Sequence, residues 1–169
     1  MFEVRELSRI PCAPGRFVWW RSEVDAALAT SRHALPSRHD ADWLVGEALA
    51  NLMVGLQRHA RGKKLTAMRA IQVHALDRVL ELLEQRQAER QDTSVSRDAY
   101  NVDRRIEARH AELSLSLPRW AGGYEQTVPA ARALLDVLQT HAVFPAKVVE
   151  HIAVLAGLAA RSPDRKSVV

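Results

Sequence analysis

The run Asp42-Trp43-Leu44-Val45-Gly46-Glu47-Ala48-Leu49-Ala50-Asn51-Leu52-Met53-Val54-Gly55-Leu56-Gln57-Arg58, continued by Arg61-Gly62-Lys63-Lys64-Leu65-Thr66-Ala67-Met68-Arg69-Ala70-Ile71-Gln72, decides the fold class. In its first half Val45, Leu49, Leu52, Met53 and Leu56 recur at three- and four-residue steps, the spacing that lines one face of an α-helix. Asp40 or Asp42 stands where an N-cap belongs, with a carboxylate at the positive end of the helix dipole. Arg61-Gly62-Lys63-Lys64 breaks the helix, and glycine tolerates the left-handed backbone that closes a helix end. Beyond it Leu65, Met68, Leu76, Val79, Leu80 and Leu83 form a second stripe. Two amphipathic helices joined by so short a connection pair antiparallel.

Outward from this pair the chain stays helical in pattern. Gln85 to Ser96 is polar and charged, so the second helix is expected to fray into a solvated loop there. Further helices are expected over Val102 to His110 and Leu113 to Leu117, the latter stopped by Pro118, and Gly122-Gly123 marks a turn. Val128-Pro129 opens a helix through Leu134, Leu135 and Leu138; Pro145 opens the last one through Val149, Ile152 and Leu155. Upstream, Glu23 to Thr30 reads as a short helix ended before Pro36. Phe2 to Leu7 alternates apolar and charged residues, and Arg16 to Trp20 is rich in strand formers, with the loop Ile10-Pro11-Cys12-Ala13-Pro14-Gly15 between them. Two strands alone are marginal in water, so they either lie against the helices or belong to a sheet whose other strands are elsewhere. The expected fold is mainly α: a helical bundle around an antiparallel helix hairpin, with a short N-terminal two-strand β element. Residues 1–22 form the β connector, 23–160 the helical bundle and 161–169 a disordered tail.

Composition excludes several classes. The 169 residues carry 24 Lys and Arg against 20 Asp and Glu, with one cysteine. A chain of this size buries a sufficient core without disulfides or a structural metal, and Cys12 has no partner for either. The N-terminus is too charged for a signal peptide, and the most apolar stretch, Val148 to Ala160, is broken by Glu150 and His151. A cytoplasmic protein with no membrane segment is expected. The net charge of +4 is spread over helices that also carry acids, which argues against nucleic acid as the partner.

Four groups of residues could carry chemistry. Asp40-Ala41-Asp42 has the spacing of a Mg²⁺-holding pair, but it precedes a helix and lacks a third carboxylate, so N-capping is the better reading. Arg61, Lys63 and Lys64 with Arg69 make a compact basic loop beside a helix start, suited to a triphosphate. Arg104 and Arg105 with Glu107 gather guanidinium forks and a carboxylate within a helical turn, suited to a phosphate or carboxylate ligand. Trp43 and Tyr124 could stack on a base or sugar, as could Trp120, although aromatics near helix ends usually belong to the core. The other histidines, His33, His39, His59, His74, His141 and His151, show no ligand spacing. No Gly-x-Ser-x-Gly elbow or Cys-His pairing is present.

The Asp42–Arg58 and Arg61–Gln72 runs resemble the helical C-terminal domain of small bacterial nucleotidyltransferase-like proteins, relatives of the lincosamide and aminoglycoside nucleotidyltransferases. Ile10-Pro11-Cys12-Ala13-Pro14-Gly15-Arg16-Phe17-Val18-Trp19, Arg104-Arg105-Ile106-Glu107-Ala108-Arg109 and Gly123-Tyr124-Glu125 are similar to the same family. The resemblance implies that an α/β palm carrying Gly-Ser and Asp-x-Asp binds Mg²⁺ and nucleoside triphosphate and passes a nucleotidyl group to a small hydroxyl acceptor, while the helical domain closes the cleft. The palm is missing from this chain, so catalysis by the chain alone is not expected; the two N-terminal strands would be the trailing edge of the lost sheet, open to a protein partner. The alternative is a freestanding helical protein. Arg104 and His110 resemble the Arg-x(4–6)-His motif of helical toxin-system ribonucleases, which implies either RNA cleavage or a toxin–antitoxin interaction protein.

Overall fold

The computed structural model describes residues 39–91, 103–104 and 106–161. Apart from Asp103 and Arg104, these belong to one compact unit spanning His39–Asp92 and Arg105–Val169. The expected strands, the Glu23 to Thr30 helix, Arg105 and residues 162–169 lie outside the described residues. Within them the chain is mainly helical: α1 (Ala41–Ala60), α2 (Lys64–Arg69), a π-helical segment (Ala70–Ala75), α3 (Leu76–Gln91), the short α4 (Ile106–Arg109), α5 (Ala111–Ser114) and α6 (Leu117–Trp120), a 3-10 turn (Tyr124–Gln126), α7 (Thr127–His141) and α8 (Ala146–Arg161). No described helix is long and apolar enough to cross a membrane.

The helix α1 is the central element, packed against α2, the π segment, α3, α7 and α8. Its buried face is Leu44, Val45, Ala48, Leu49, Leu52, Gly55 and Leu56, while Met53 is only half-buried. The side chain of Asp40 accepts the Trp43 N–H at 2.6 Å and caps the helix. Gly62 takes φ +78°, the left-handed conformation that lets the chain turn from α1 into α2. Gln85 in α3 donates from Nε2 to the carbonyl of His39, just ahead of α1, at 2.7 Å, which ties α3 to the start of α1.

The second helix departs from the expected stripe in an instructive way. At about 100° per residue, an unbroken α-helix aligns Leu65 and Met68 with Leu76, Val79, Leu80 and Leu83, and turns Ala67, Ala70 and Ile71 to the far side. Instead Ala67, Ala70 and Ile71 are buried together with Leu76, Val79, Leu80 and Leu83, and Leu65 is 51% exposed. The π segment accounts for this. The Leu76 N–H reaches the Ile71 carbonyl five residues back, so one extra residue is accommodated and the helix beyond is rotated by about 100° relative to the helix before. Small residues then face α1, and the two helices approach closely: a Cβ added to Gly55 would lie 2.5 Å from Ile71 Cγ1, 2.8 Å from its Cδ1 and 3.3 Å from the Ala67 carbonyl oxygen.

Three other expectations are corrected. The helix does not fray at Gln85 but continues to Gln91, since Gln85 is buried and bonded to His39. Pro118 does not stop a helix; it occupies the first turn of α6, where its missing N–H costs nothing. The expected helix over Val102 to His110 is described as a single turn, α4, and His110 leaves helical geometry at φ −138° and ψ 78°. The last two helices begin near Pro129 and Pro145, and Ile152, Leu155, Ala156 and Ala159 of α8 pack inward.

Gly55→Ala should destabilise the fold by about 1–3 kcal/mol, because the methyl group meets a buried side chain and a fixed backbone carbonyl. Urea unfolding of Gly55→Ala, Ile71→Ala and the double variant should show coupling between the two sites, and strict additivity would refute the close approach. Deleting exposed His74 removes the extra residue of the π segment and leaves both buried faces aligned on a plain α-helix. That chain is expected to keep its helical circular dichroism and cooperative melting; loss of either would show that the wide turn is needed for folding.

Candidate functional site

The residues Val79 to Gln85 are all buried, so nearly two turns of α3 are enclosed on every side. Two of them are carboxylates, Glu81 and Glu84, whose side chains retain 9% and 4% of their exposure. Removing a carboxylate from water is costly unless cations or hydrogen-bond donors replace the lost hydration. Glu81 faces Arg78 at 3.5 Å and His39 Nδ1 at 3.7 Å. Glu84 Oε1 lies 3.4 Å from His110 Nε2, and the His110 side chain keeps 11% of its exposure. The other nitrogen, Nδ1, is buried and has no hydrogen-bond partner among the described residues.

An aromatic surface adjoins these acids. His39 stacks on Trp43 with ring centroids 3.8 Å apart and planes 14° from parallel, and the Arg78 guanidinium lies 5.7 Å from the centroid of the Trp43 ring. Trp43 stays 41% exposed, so the indole presents itself to solvent beside the imidazole and the guanidinium that face Glu81. That grouping can hold a ligand bearing hydroxyl or amine groups against an aromatic face. Among the described residues no group of three or more His, Cys, Asp or Glu is arranged to hold a metal ion, and Asp40 of the Asp-x-Asp pair is engaged in capping α1.

The candidates read from the sequence fall into separate places. Arg61 is exposed and donates from Nε to the Gln57 carbonyl at 3.0 Å; Lys63 and Arg69 are exposed and Lys64 is partly buried. This basic loop follows the C-terminus of α1. Trp43 lies in the first turn of α1, and the Gln85–His39 bond brings the Glu84 and His110 region to that end. Twenty helical residues span about 30 Å, so the loop and the Trp43 cluster cannot share one small ligand. Glu107 is exposed in α4, Arg104 is exposed in a turn, and Trp120 is buried in the core.

Tyr124 belongs to a third place, built by a residue that sequence reading passed over. Gln72, in the π segment and 8% exposed, donates from Nε2 to the Gly123 carbonyl at 2.7 Å and accepts the Gly123 N–H on Oε1 at 2.8 Å. The amide thus pairs with both backbone groups of a glycine at φ +88°, a conformation that glycine adopts without a Cβ penalty. Thr127, fully buried, donates from Oγ1 to the Tyr124 carbonyl at 2.7 Å and fixes the start of α7. Tyr124 itself is held 45% exposed. The sequence offered one sign of Gln72: a polar residue on the same stripe as Leu65, Met68 and Leu76. Glu81 and Glu84 gave no such sign, because carboxylates between leucines normally mark a solvated face.

No family model, curated protein or solved structure matches this chain.

Replacing Gln72 with Ala leaves the Gly123 N–H without its partner and the Gly123 carbonyl with the Gln126 N–H at 3.1 Å, and should cost about 1–3 kcal/mol by urea unfolding. A change below about 0.5 kcal/mol would mean that water replaces the amide at no loss.

Proposed function

We propose that this chain is the helical, cleft-forming domain of a nucleotidyltransferase-like protein, working with a catalytic palm supplied outside it. One observation carries the reading. Two of the stretches on which the resemblance rests, Arg61 to Gln72 and Gly123 to Glu125, are far apart in sequence, and the Gln72–Gly123 pairing joins them. The bundle around an antiparallel helix pair and the N-terminal β edge belong to the same proposal, the edge being the place where palm strands would join.

In this reading the palm carboxylates hold Mg²⁺ and the nucleoside triphosphate, and the helical domain orients the hydroxyl acceptor. The basic loop and the Trp43 cluster lie too far apart to line one cleft together. The Trp43, His39, Arg78 and Glu81 group has the chemistry for an acceptor, with an indole face for the ring and charged groups for its polar substituents. Arg61, Lys63, Lys64 and Arg69 then contribute general positive charge rather than an acceptor contact.

The decisive experiment begins with the DNA upstream of Met1, which should continue in frame into a segment encoding Gly-Ser and Asp-x-Asp. The joined protein should transfer a nucleotidyl group from Mg²⁺–nucleoside triphosphate to a small hydroxyl acceptor. Trp43→Ala should raise the acceptor KM about tenfold, in line with the energy of an aromatic stacking contact, and Arg61→Ala should leave it unchanged. An upstream stop codon, with no transfer by any palm co-expressed with the chain, would overturn the reading.

A second reading draws on the His110–Glu84 pair, which supplies the positioned imidazole that a helical ribonuclease would need. It requires that the chain alone cleave RNA and that His110→Ala and Arg104→Ala each abolish cleavage.

A further inference from the structure

The last helix, α8, buries one side only: Ile152, Leu155, Ala156 and Ala159 face the core. At about 100° per residue the positions opposite them are Glu150, Val154, Gly157 and Arg161, flanked by Lys147, His151 and Leu158 on one side and by alanines on the other. Val154 is 60% exposed and Leu158 53%, although the outward face of a helix is normally polar. Gly157 is a second anomaly. Glycine inside a helix is less favourable than alanine, yet a Cβ added there meets nothing within 4 Å, so packing among the described residues does not require the gap.

This outward stripe is complementary to itself. When two copies of a helix lie antiparallel about a two-fold axis, residues at equal distances on either side of the axis face one another. With the axis between Leu155 and Ala156, Glu150 falls opposite Arg161 of the second copy, and Val154 falls opposite its Gly157. Both pairs share that midpoint, so one placement of the axis satisfies charge and shape together, and each contact occurs twice. Among the described residues neither Glu150 nor Arg161 has an ionic partner within the chain. A hollow of about 490 Å³ between Gln139, Val143, Phe144 and Glu150 adjoins the start of the stripe, an apolar bed for the stem of the incoming arginine while its guanidinium meets Glu150. We propose that the outward face of α8 is a self-association surface, on which a second copy of this chain docks its own α8 antiparallel. Gly157 supplies the gap that receives Val154 of the other copy, and Leu158 covers the flank. One pair of 16-residue helices is a small interface, so the dimer is weak and reversible and its population follows the protein concentration. This inference does not depend on the nucleotidyltransferase reading.

Sedimentation equilibrium of the full chain tests the surface, with a thiol reductant present so that Cys12 does not cross-link copies. The mass should rise from one chain toward two with loading concentration. Glu150→Arg sets arginine against arginine across the axis, and Arg161→Glu sets acid against acid. Each should weaken the dimer about tenfold, because exposed ion pairs are individually modest and the contact occurs twice. An equimolar mixture of the two variants should associate as tightly as the parent chain, since each then meets its opposite charge. Gly157→Leu fills the gap without changing charge; it should weaken the dimer while raising the melting temperature of the single chain, where leucine is the better helix former. A chain that stays monomeric at every concentration, a dimer indifferent to both reversals, or a mixture no tighter than either variant alone would each overturn the proposal. Should a reversed chain fail to fold, Gly157→Leu decides, and an unweakened dimer would overturn it as well.

Discussion

The close crossing of α1 over the second helix at Gly55 is the constraint on which the rest of the fold depends. A glycine at that point lets Ile71 and the Ala67 carbonyl come nearer than any side chain would allow. The approach selects the small-residue face of α2, and that face can be joined to the leucine-rich face of α3 only through a wide turn. The π segment is therefore the geometric cost of the crossing. It also directs Gln72 at Gly123, so the anchoring of the α6–α7 connection follows from a packing requirement on the other side of the same helix.

The helices were largely legible from their periodicity and punctuation. Asp40, Gly62 and Pro145 stand where a cap, a left-handed turn and a helix start require them, and each is local chemistry that a sequence displays. The π segment was not legible, because an extra residue within a helix has no signature of its own. It shows only as a conflict between two plausible faces, and the face with larger side chains was the natural choice. Pro118 was read as a terminator because proline both ends and begins helices, and the sequence does not say which side the helix is on.

The candidate site was less legible for a different reason. Acidic and basic residues on a helix are normally solvated, so nothing in the sequence singles out Glu81 and Glu84. Two of their charge partners are brought in by tertiary structure, His39 from ahead of α1 and His110 from beyond α4, while Arg78 is one turn earlier on α3. Trp43 was singled out as able to stack on a ligand; it is exposed, and its stacking on His39 depends on how the chain enters α1. The basic loop of Arg61, Lys63 and Lys64 follows the C-terminus of α1 while Trp43 lies in its first turn, a separation that spacing along the chain does not express.

The enclosed turn of α3 also bears on the order in which the molecule assembles. Contacts around the Gly62 turn are near in sequence and bury apolar groups such as Leu56, Ala67 and Ile71, so they form with little loop entropy and no loss of charge hydration. The other end of the same helix pair is unlike this. Its loop closes between His39 and Gln85, and it must strip water from two carboxylates before their cationic partners can repay the loss. Zippering from the glycine end toward the acidic end is the route of least resistance, with desolvation of Glu81 and Glu84 as its closing step. The region richest in chemistry is then the last to consolidate and the first to loosen, which gives a ligand bound there the greatest leverage over the stability of the whole unit.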